Sequence, residues 1–217
     1  MELDVRSVAE ILELSERRVR QLIDSGDLPA RRAGGRFLVE EAQVPRSRPT
    51  TRPMSPRIAT AFIDWISGYQ PSGLSNSERS RLREKLQRLY ATPEPADLLR
   101  SWLRRHDQVL ALQVAARDVA AVREDPRFIP SGVSDDRSGL SAGHEAEGYV
   151  QSRDVADLRA RYLMVERLPT NVWLHVVERP IPRPAPLGLV IADLARRDGP
   201  REDQRVLEML RGLATKT

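Results

Sequence analysis

Residues 3–39, LDVRSVAEILELSERRVRQLIDSGDLPARRAGGRFLV, admit few folds, because their apolar spacing changes from helical to extended within one short stretch. Val5, Val8, Ile11 and Leu12 recur at helical spacing and predict a first helix that buries all four. Glu13-Leu14 make the turn. Ser15 suits the N-cap of a second helix, Glu16 to Asp24, because its hydroxyl can accept from an orphan amide of the first turn. That helix turns Val19, Leu22 and Ile23 inward and leaves Glu16, Arg17, Arg18, Arg20 and Gln21 outside. Ser25-Gly26-Asp27 stop it. Ala30-Arg31-Arg32 and Arg36-Phe37-Leu38-Val39 then read as two short strands, with Ala33-Gly34-Gly35 supplying the positive φ angles of a tight hairpin. A helix that packs through three apolar residues and shows three arginines and a glutamine suits the major groove of duplex DNA. Arginine grips guanine bidentately, glutamine grips adenine, and spare guanidinium groups hold phosphates.

Arginine abundance by itself carries no such message. The chain has 33 arginines and only two lysines, Lys85 and Lys216, a skew expected of a GC-rich genome. Residues 1–60 hold 11 basic and nine acidic side chains, so the N-terminal module has little net charge and only the placement of its arginines counts. Residues 43–57, QVPRSRPTTRPMSPR, contain four prolines, four arginines and no acid, and read as an extended spacer. Either the spacer tracks the phosphate backbone as a basic arm, or it is a solvated linker. The candidate DNA-contacting residues are Ser15, Glu16, Arg17, Arg18, Arg20 and Gln21 from the second helix, Arg31, Arg32 and Arg36 from the hairpin, and Arg46 and Arg48 from the arm.

Beyond the spacer the chain reads as a helix-rich α+β body. Ser55-Pro56 open a helix with Ile58, Phe62, Trp65 and Ile66 on one face. Ser75 to Glu78 form a capping box ahead of Leu82, Leu86, Leu89 and Tyr90. A third helix spans about 96–106. Residues 109–114 are strand or helix, 116–124 are helical, and Arg127-Phe128-Ile129 are extended. Residues 131–148 form a Gly/Ser/acid loop whose Asp135, Asp136, Glu145 and Glu147 are expected in solvent. Then follow a strand at Gly148–Gln151, a helix at 153–164 burying Val155, Leu158, Tyr162 and Leu163, and the strand Asn171–Val177. A proline-rich connector at 179–186 leads to two helices over 187–213, broken at Asp198-Gly199-Pro200.

Two resemblances follow from these residues. The segments V-A-E-I-L, L-S-E-R-R-V-R-Q-L-I and S-G-D-L-P-A-R-R-A-G-G-R-F-L-V resemble the winged helix-turn-helix of excisionases and related MerR-like regulators, over about a fifth of the chain. That resemblance implies binding of double-stranded DNA. The run from V-A-A-V-R-E-D-P-R-F-I-P-S-G-V-S through E-G-Y-V and N-V-W-L-H-V-V to A-P-L-G-L-V-I-A-D-L and G-P-R-E resembles the C-terminal region of AbiEi-like antitoxins. Those are encoded beside nucleotidyltransferase toxins in abortive-infection operons. It implies an autorepressor that also counters a toxin, with no catalysis. The acids of the 131–148 loop and the 187–213 helices are then the expected toxin-contacting elements, the acids complementing a basic nucleotide-handling surface.

Other chemistry finds little support. There is no cysteine, so no disulfide, thiolate metal site or cysteine nucleophile. His106, His144 and His175 are not at metal-ligand spacing, and no phosphate loop, dinucleotide fingerprint or nucleophile elbow occurs. No apolar run approaches the ~20 residues that span a bilayer, and the charged start MELDVRSVAE runs straight into the first helix rather than forming a signal peptide. The expectation is a cytoplasmic, non-enzymatic regulator without metal or cofactor. It comprises a winged helix-turn-helix at 1–42, a linker at 43–57 and an α+β body at 58–217 that dimerises, contacts a toxin, or both. A homodimer is the default, since helix-turn-helix modules commonly read paired half-sites. An excisionase-like recombination accessory factor and an interaction protein without DNA binding are the alternatives.

Overall fold

The computed structural model describes residues 2–12, 15–24, 28–33, 36–40, 44, 53–103, 108–140 and 143–214. It is α+β, 54% helical, as the sequence predicts. The chain divides into two compact units, Met1–Thr50 and Thr51–Thr217.

The first unit opens on a strand, β1 (Glu2–Asp4), where the sequence led straight into a helix. The reason is the cap: Asp4 is extended, and its carboxylate accepts from the Ser7 amide at 2.8 Å, so α1 (Val5–Ile11) starts only at Val5. The strand β1 then pairs antiparallel with β3 (Arg36–Glu40), setting Leu3 against Val39, and β2 (Arg31–Ala33) lies on the far side of β3. Helix α2 (Glu16–Asp24) follows α1. The inward stripe of α1 is Val5, Val8, Ala9 and Leu12, not the expected set with Ile11, which is 54% exposed. Those residues pack with Val19, Leu28, Val39 and Val44. Val44 therefore belongs to the unit's core rather than to a spacer. The expected turn at Glu13-Leu14, the helix stop at Ser25-Gly26-Asp27, the tip glycines Gly34 and Gly35 and most of the 43–57 spacer lie outside the described residues.

The second unit begins earlier than the expected Ile58. Met54 is buried, and its amide donates to the Trp102 carbonyl at 2.9 Å. Five helices form one apolar cluster: α3 (Pro56–Ile66), α4 (Asn76–Ala91), α5 (Pro95–Trp102), α8 (Leu187–Arg196) and α9 (Pro200–Ala214). The expected capping box is present in both directions between Ser75 and Glu78. Helix α5 ends at Trp102 rather than 106, and His106 lies outside the described residues. Residues Gly188 to Ala195 of α8 are all buried. Gly188 permits this closeness: a Cβ there would collide with the Ile63 carbonyl, while its amide donates to Ser67 Oγ at 2.8 Å.

Beside the helices runs a four-stranded sheet in the order β4 (Gln108–Leu112), β7 (Val172–Val177), β6 (Ala146–Gln151), β5 (Ile129–Pro130). The strands β6 and β7 are parallel, and the outer pairings are antiparallel. Parallel neighbours are buried on both faces. Tyr149 and Val177 pack into the helical cluster. Leu112, Ala146, Val150, Val172 and Leu174 form a second core with Val119 and Val122 of α6 (Val119–Glu124) and Leu158 of α7 (Val155–Arg161). Helix α7 is shorter than expected. Leu163, predicted inside, sits at φ 51° and is 81% exposed, because Met164 turns in behind it.

Asp125 anchors the turn after α6. Its carboxylate accepts from Arg127 Nε at 2.9 Å and Nη2 at 2.8 Å, from the Arg127 amide at 2.9 Å and from the Tyr162 hydroxyl at 3.1 Å. The Arg127 guanidinium holds this carboxyl far below the ordinary carboxylate range. A depressed native value stabilises the fold above the unfolded carboxylate's pKa, and that contribution is lost as pH falls toward the native value. We predict that Asp125→Asn lowers stability by roughly 2 kcal/mol at neutral pH. Below pH about 4 the wild type loses that advantage. Urea midpoints from pH 7 to 2 check this: the two proteins should converge in acid, and parallel pH profiles would contradict the assignment.

Candidate nucleic-acid interface

The second helix of the N-terminal unit is placed by one cap and one apolar stripe. Ser15 caps it as expected: its Oγ accepts from the Arg18 amide at 3.3 Å, and its carbonyl from Arg18 and Val19 at 2.9 and 3.1 Å. Val19 is fully buried, with Leu22 and Ile23 packed beside it. At 100° per residue, Arg17 and Gln21 therefore point away from the core, and Arg18 and Arg20 lie on the two flanks. Ser15, Glu16, Arg17, Arg18, Arg20 and Gln21 are all exposed, as expected.

The flanks are held and the crest is open. Arg18 Nη1 donates to Gln21 Oε1 at 3.2 Å, and Arg20 Nη2 lies 2.7 Å from Glu16 Oε2, one turn back. Glu16 also complements the positive end of the helix macrodipole. Arg17 has no side-chain partner among the described residues. With its oxygen engaged by Arg18, Gln21 keeps its amide NH₂ free to donate.

Strands β2 and β3 form the expected hairpin, with Arg31 opposite Leu38 and Arg32 opposite Phe37. Arg31 is exposed. The backbones of Arg32 and Arg36 are described but their side chains are not, and Arg46 and Arg48 lie outside the described residues.

The second unit has a different kind of polar centre, which sequence reasoning missed. The 131–148 segment is not a solvated acidic loop. Two 3₁₀ turns, Gly132–Ser134 and Asp136–Ser138, shape it, and the first packs against β6 and α8. Asp135 pairs with Arg137, while Glu145 and Glu147 pair with Arg197. Of the four acids only Asp136 is fully in solvent, so the expected acidic docking surface is absent. The buried Asp193 Oδ2 accepts from the hydroxyls of Ser131 and Tyr149, both at 2.6 Å. His175, buried in β7, stacks on Tyr149 with centroids 4.8 Å apart and lies between Glu147 Oε1 at 3.3 Å and Arg196 Nη1 at 3.5 Å. Gly132, at φ +54°, leaves room for the Glu147 carboxylate. This network joins loop, sheet and helix. The available signal was two acids beside apolar strand residues in H-E-A-E-G-Y-V, which burial forces into ion pairs.

An open cleft of about 550 Å³ lies beside it, lined in part by Arg123, Arg137 and Arg183. All three guanidinium groups are committed internally: Arg123 to the Ser134 carbonyl at 3.2 Å, Arg137 to Asp135, and Arg183 to the Asp125 and Phe128 carbonyls. Among the described residues, no three His, Cys, Asp or Glu side chains are placed to hold a metal ion. No described helix is long and apolar enough to cross a membrane.

Residues 2–44, which hold α1, α2 and the three-stranded sheet, match the helix-turn-helix domain family. The chain thus carries an N-terminal helix-turn-helix domain, and the partner such a domain implies is DNA. No curated protein and no solved structure matches the chain.

The crest residues give the test. Arg17→Ala is expected to cost roughly 1–3 kcal/mol on a duplex selected by the wild-type chain and to relax specificity at one position. Arg31→Ala is expected to weaken binding to every sequence and to flatten its salt dependence. Fluorescence anisotropy titrations at several salt concentrations measure both. If Arg17→Ala combined with Arg18→Ala binds as tightly as wild type, α2 is not the reading helix.

Proposed function

We propose that the protein is a sequence-specific repressor that occupies the promoter of its own operon through α2 and the β2–β3 hairpin. We further propose that it serves as the antitoxin of a toxin–antitoxin pair. The observation that carries the repressor reading is the crest of α2, an exposed Arg17 and Gln21 held opposite a buried Val19 within a helix-turn-helix domain. Its mechanism is steric: a bound protein excludes polymerase from the promoter, and no catalytic step is needed. The assignment is non-enzymatic.

The antitoxin role is supported by the size of the second unit and by the AbiEi-like pattern of residues 108–213. Residues 51–217 exceed what a small DNA reader needs for dimerisation alone, and that same bulk weighs against an excisionase-like factor. The toxin would be of the nucleotidyltransferase kind. Asp135, Glu145 and Glu147 of the 131–148 loop are committed to arginines and α8 is buried, which leaves Asp136 and the exposed side of α9 from the expected contact elements.

A two-part co-expression assay checks both roles. The full chain is expected to silence a reporter driven by its own promoter and to restore growth of cells expressing the neighbouring gene. A chain lacking residues 51–217 is expected to lose the growth rescue. A neighbour that arrests growth regardless of the full chain, or that is harmless, removes the antitoxin role. An unsilenced reporter removes the repressor role.

A further inference from the structure

Among the described residues one edge of the second unit's sheet pairs with no further strand along Val109 to Ala111, and its bonding pattern can be read residue by residue. The Ala146 amide donates to the Asn171 carbonyl at 2.9 Å, so the odd-numbered residues of β7 bond to β6. Its even-numbered residues therefore bond to β4, where Leu174 faces Leu110 and Val172 faces Leu112. That leaves Val109, Ala111 and Gln113 with amides and carbonyls pointing outward. At Gln113 both groups are taken by Val165, at 2.8 and 3.1 Å. At Val109 and Ala111 no backbone partner is present among the described residues.

This edge lacks the usual protection. Natural edge strands carry lysine, proline, an inward charge or a bulge that discourages pairing. The strand Gln108-Val109-Leu110-Ala111-Leu112 has none of these, in a chain whose residues are 30% charged. Ala111 is exposed. The segment that closes the edge at Gln113 carries the three most exposed large apolar residues of the second unit after Tyr69 is set aside: Leu163 at 81%, Leu168 at 83% and Val165 at 49%.

We propose that β4 is the seam of a two-fold dimer, pairing antiparallel with β4 of a second copy. A two-fold axis through Leu110 sets Val109 of each copy opposite Ala111 of the other. The four free amides and four free carbonyls of the two copies' open edges then meet in two mutually bonded residue pairs. This register alone pairs all four residues within β4: moving the axis to Ala111 would set Val109 against the other copy's Gln113, which Val165 already holds, and moving it to Val109 would carry Ala111 past the start of the strand at Gln108. An uncharged strand meets an uncharged strand without repulsion, and the two four-stranded sheets become one of eight. This deepens the repressor reading by naming the surface that would bring two DNA-reading units together, and it is tested without DNA, so each stands or falls separately.

Sedimentation equilibrium of the full chain, alone and as Ala111→Lys or Ala111→Pro, decides the matter. In the monomer the Ala111 side chain is exposed and its amide unpaired, so both variants should keep the wild-type melting temperature of the isolated subunit. The expected result is a wild-type dimer at micromolar concentration and monomeric variants. Wild-type protein that stays monomeric overturns the proposal. So does a dimer that survives both substitutions, which would place the contact elsewhere. A monomer that instead captures the product of the neighbouring gene, and loses it in Ala111→Lys, also overturns it by giving the edge to another protein. Unfolding in both variants overturns it too, since the edge would then be engaged within the subunit.

Discussion

The burial of Val19 governs what the N-terminal unit can do. A helix as short as α2 is not stable in isolation and holds its shape only through the face it packs. Val19 is fully excluded from solvent among Val8, Leu12, Leu28 and Val39, and this fixes the rotation of α2 about its axis. Once that rotation is fixed, Arg17 and Gln21 have nowhere to point but outward. The strand β1 adds to the constraint by tying the start of α1 to β3, so that both helices and the hairpin share one small core.

The second unit follows a different rule. Its central strands are parallel and covered on both faces, so any acid in them must be paired. Glu147 of β6 is the result, and Asp193 of the buried helix α8 obeys the same rule. Each sits among donors from other elements: Arg197 and His175 for the first, Ser131 and Tyr149 for the second. Breaking one member would leave a buried charge uncompensated, so the network specifies how loop, sheet and α8 come together. Arg100 makes a comparable joint among the helices, reaching Asp97, Asp198, Asp203 and the Ala195 carbonyl.

Local signals were legible in the chain, and long-range ones were not. The Ser15 cap, the α2 stripe, the Ser75–Glu78 box and the break at Asp198-Gly199-Pro200 depend on residues within a turn of one another, and each was read correctly. The pairing of β1 with β3 spans more than thirty residues, and three residues of strand show too little alternation to betray it. Ile11 and Leu163 sit where an apolar stripe would include them, but Ile11 is the last residue of α1 and Leu163 lies beyond the end of α7, which the sequence placed at residue 164. The acids of residues 135–147 read as solvated because their partners, above all Arg197, lie far along the sequence. The exposed crest of α2 was the most legible feature of all, since cap, stripe and exposed arginines lie within one helix.

Hydrogen–deuterium exchange of the full chain, with and without a duplex selected from a random library, tests the central claim most directly. Added DNA is expected to protect residues 15–24 and the β2–β3 hairpin, while the helices and sheet of residues 53–214 exchange as before or change only where subunits meet. Protection confined to residues 53–214, with α2 unchanged, would contradict the account and move DNA binding out of the helix-turn-helix domain.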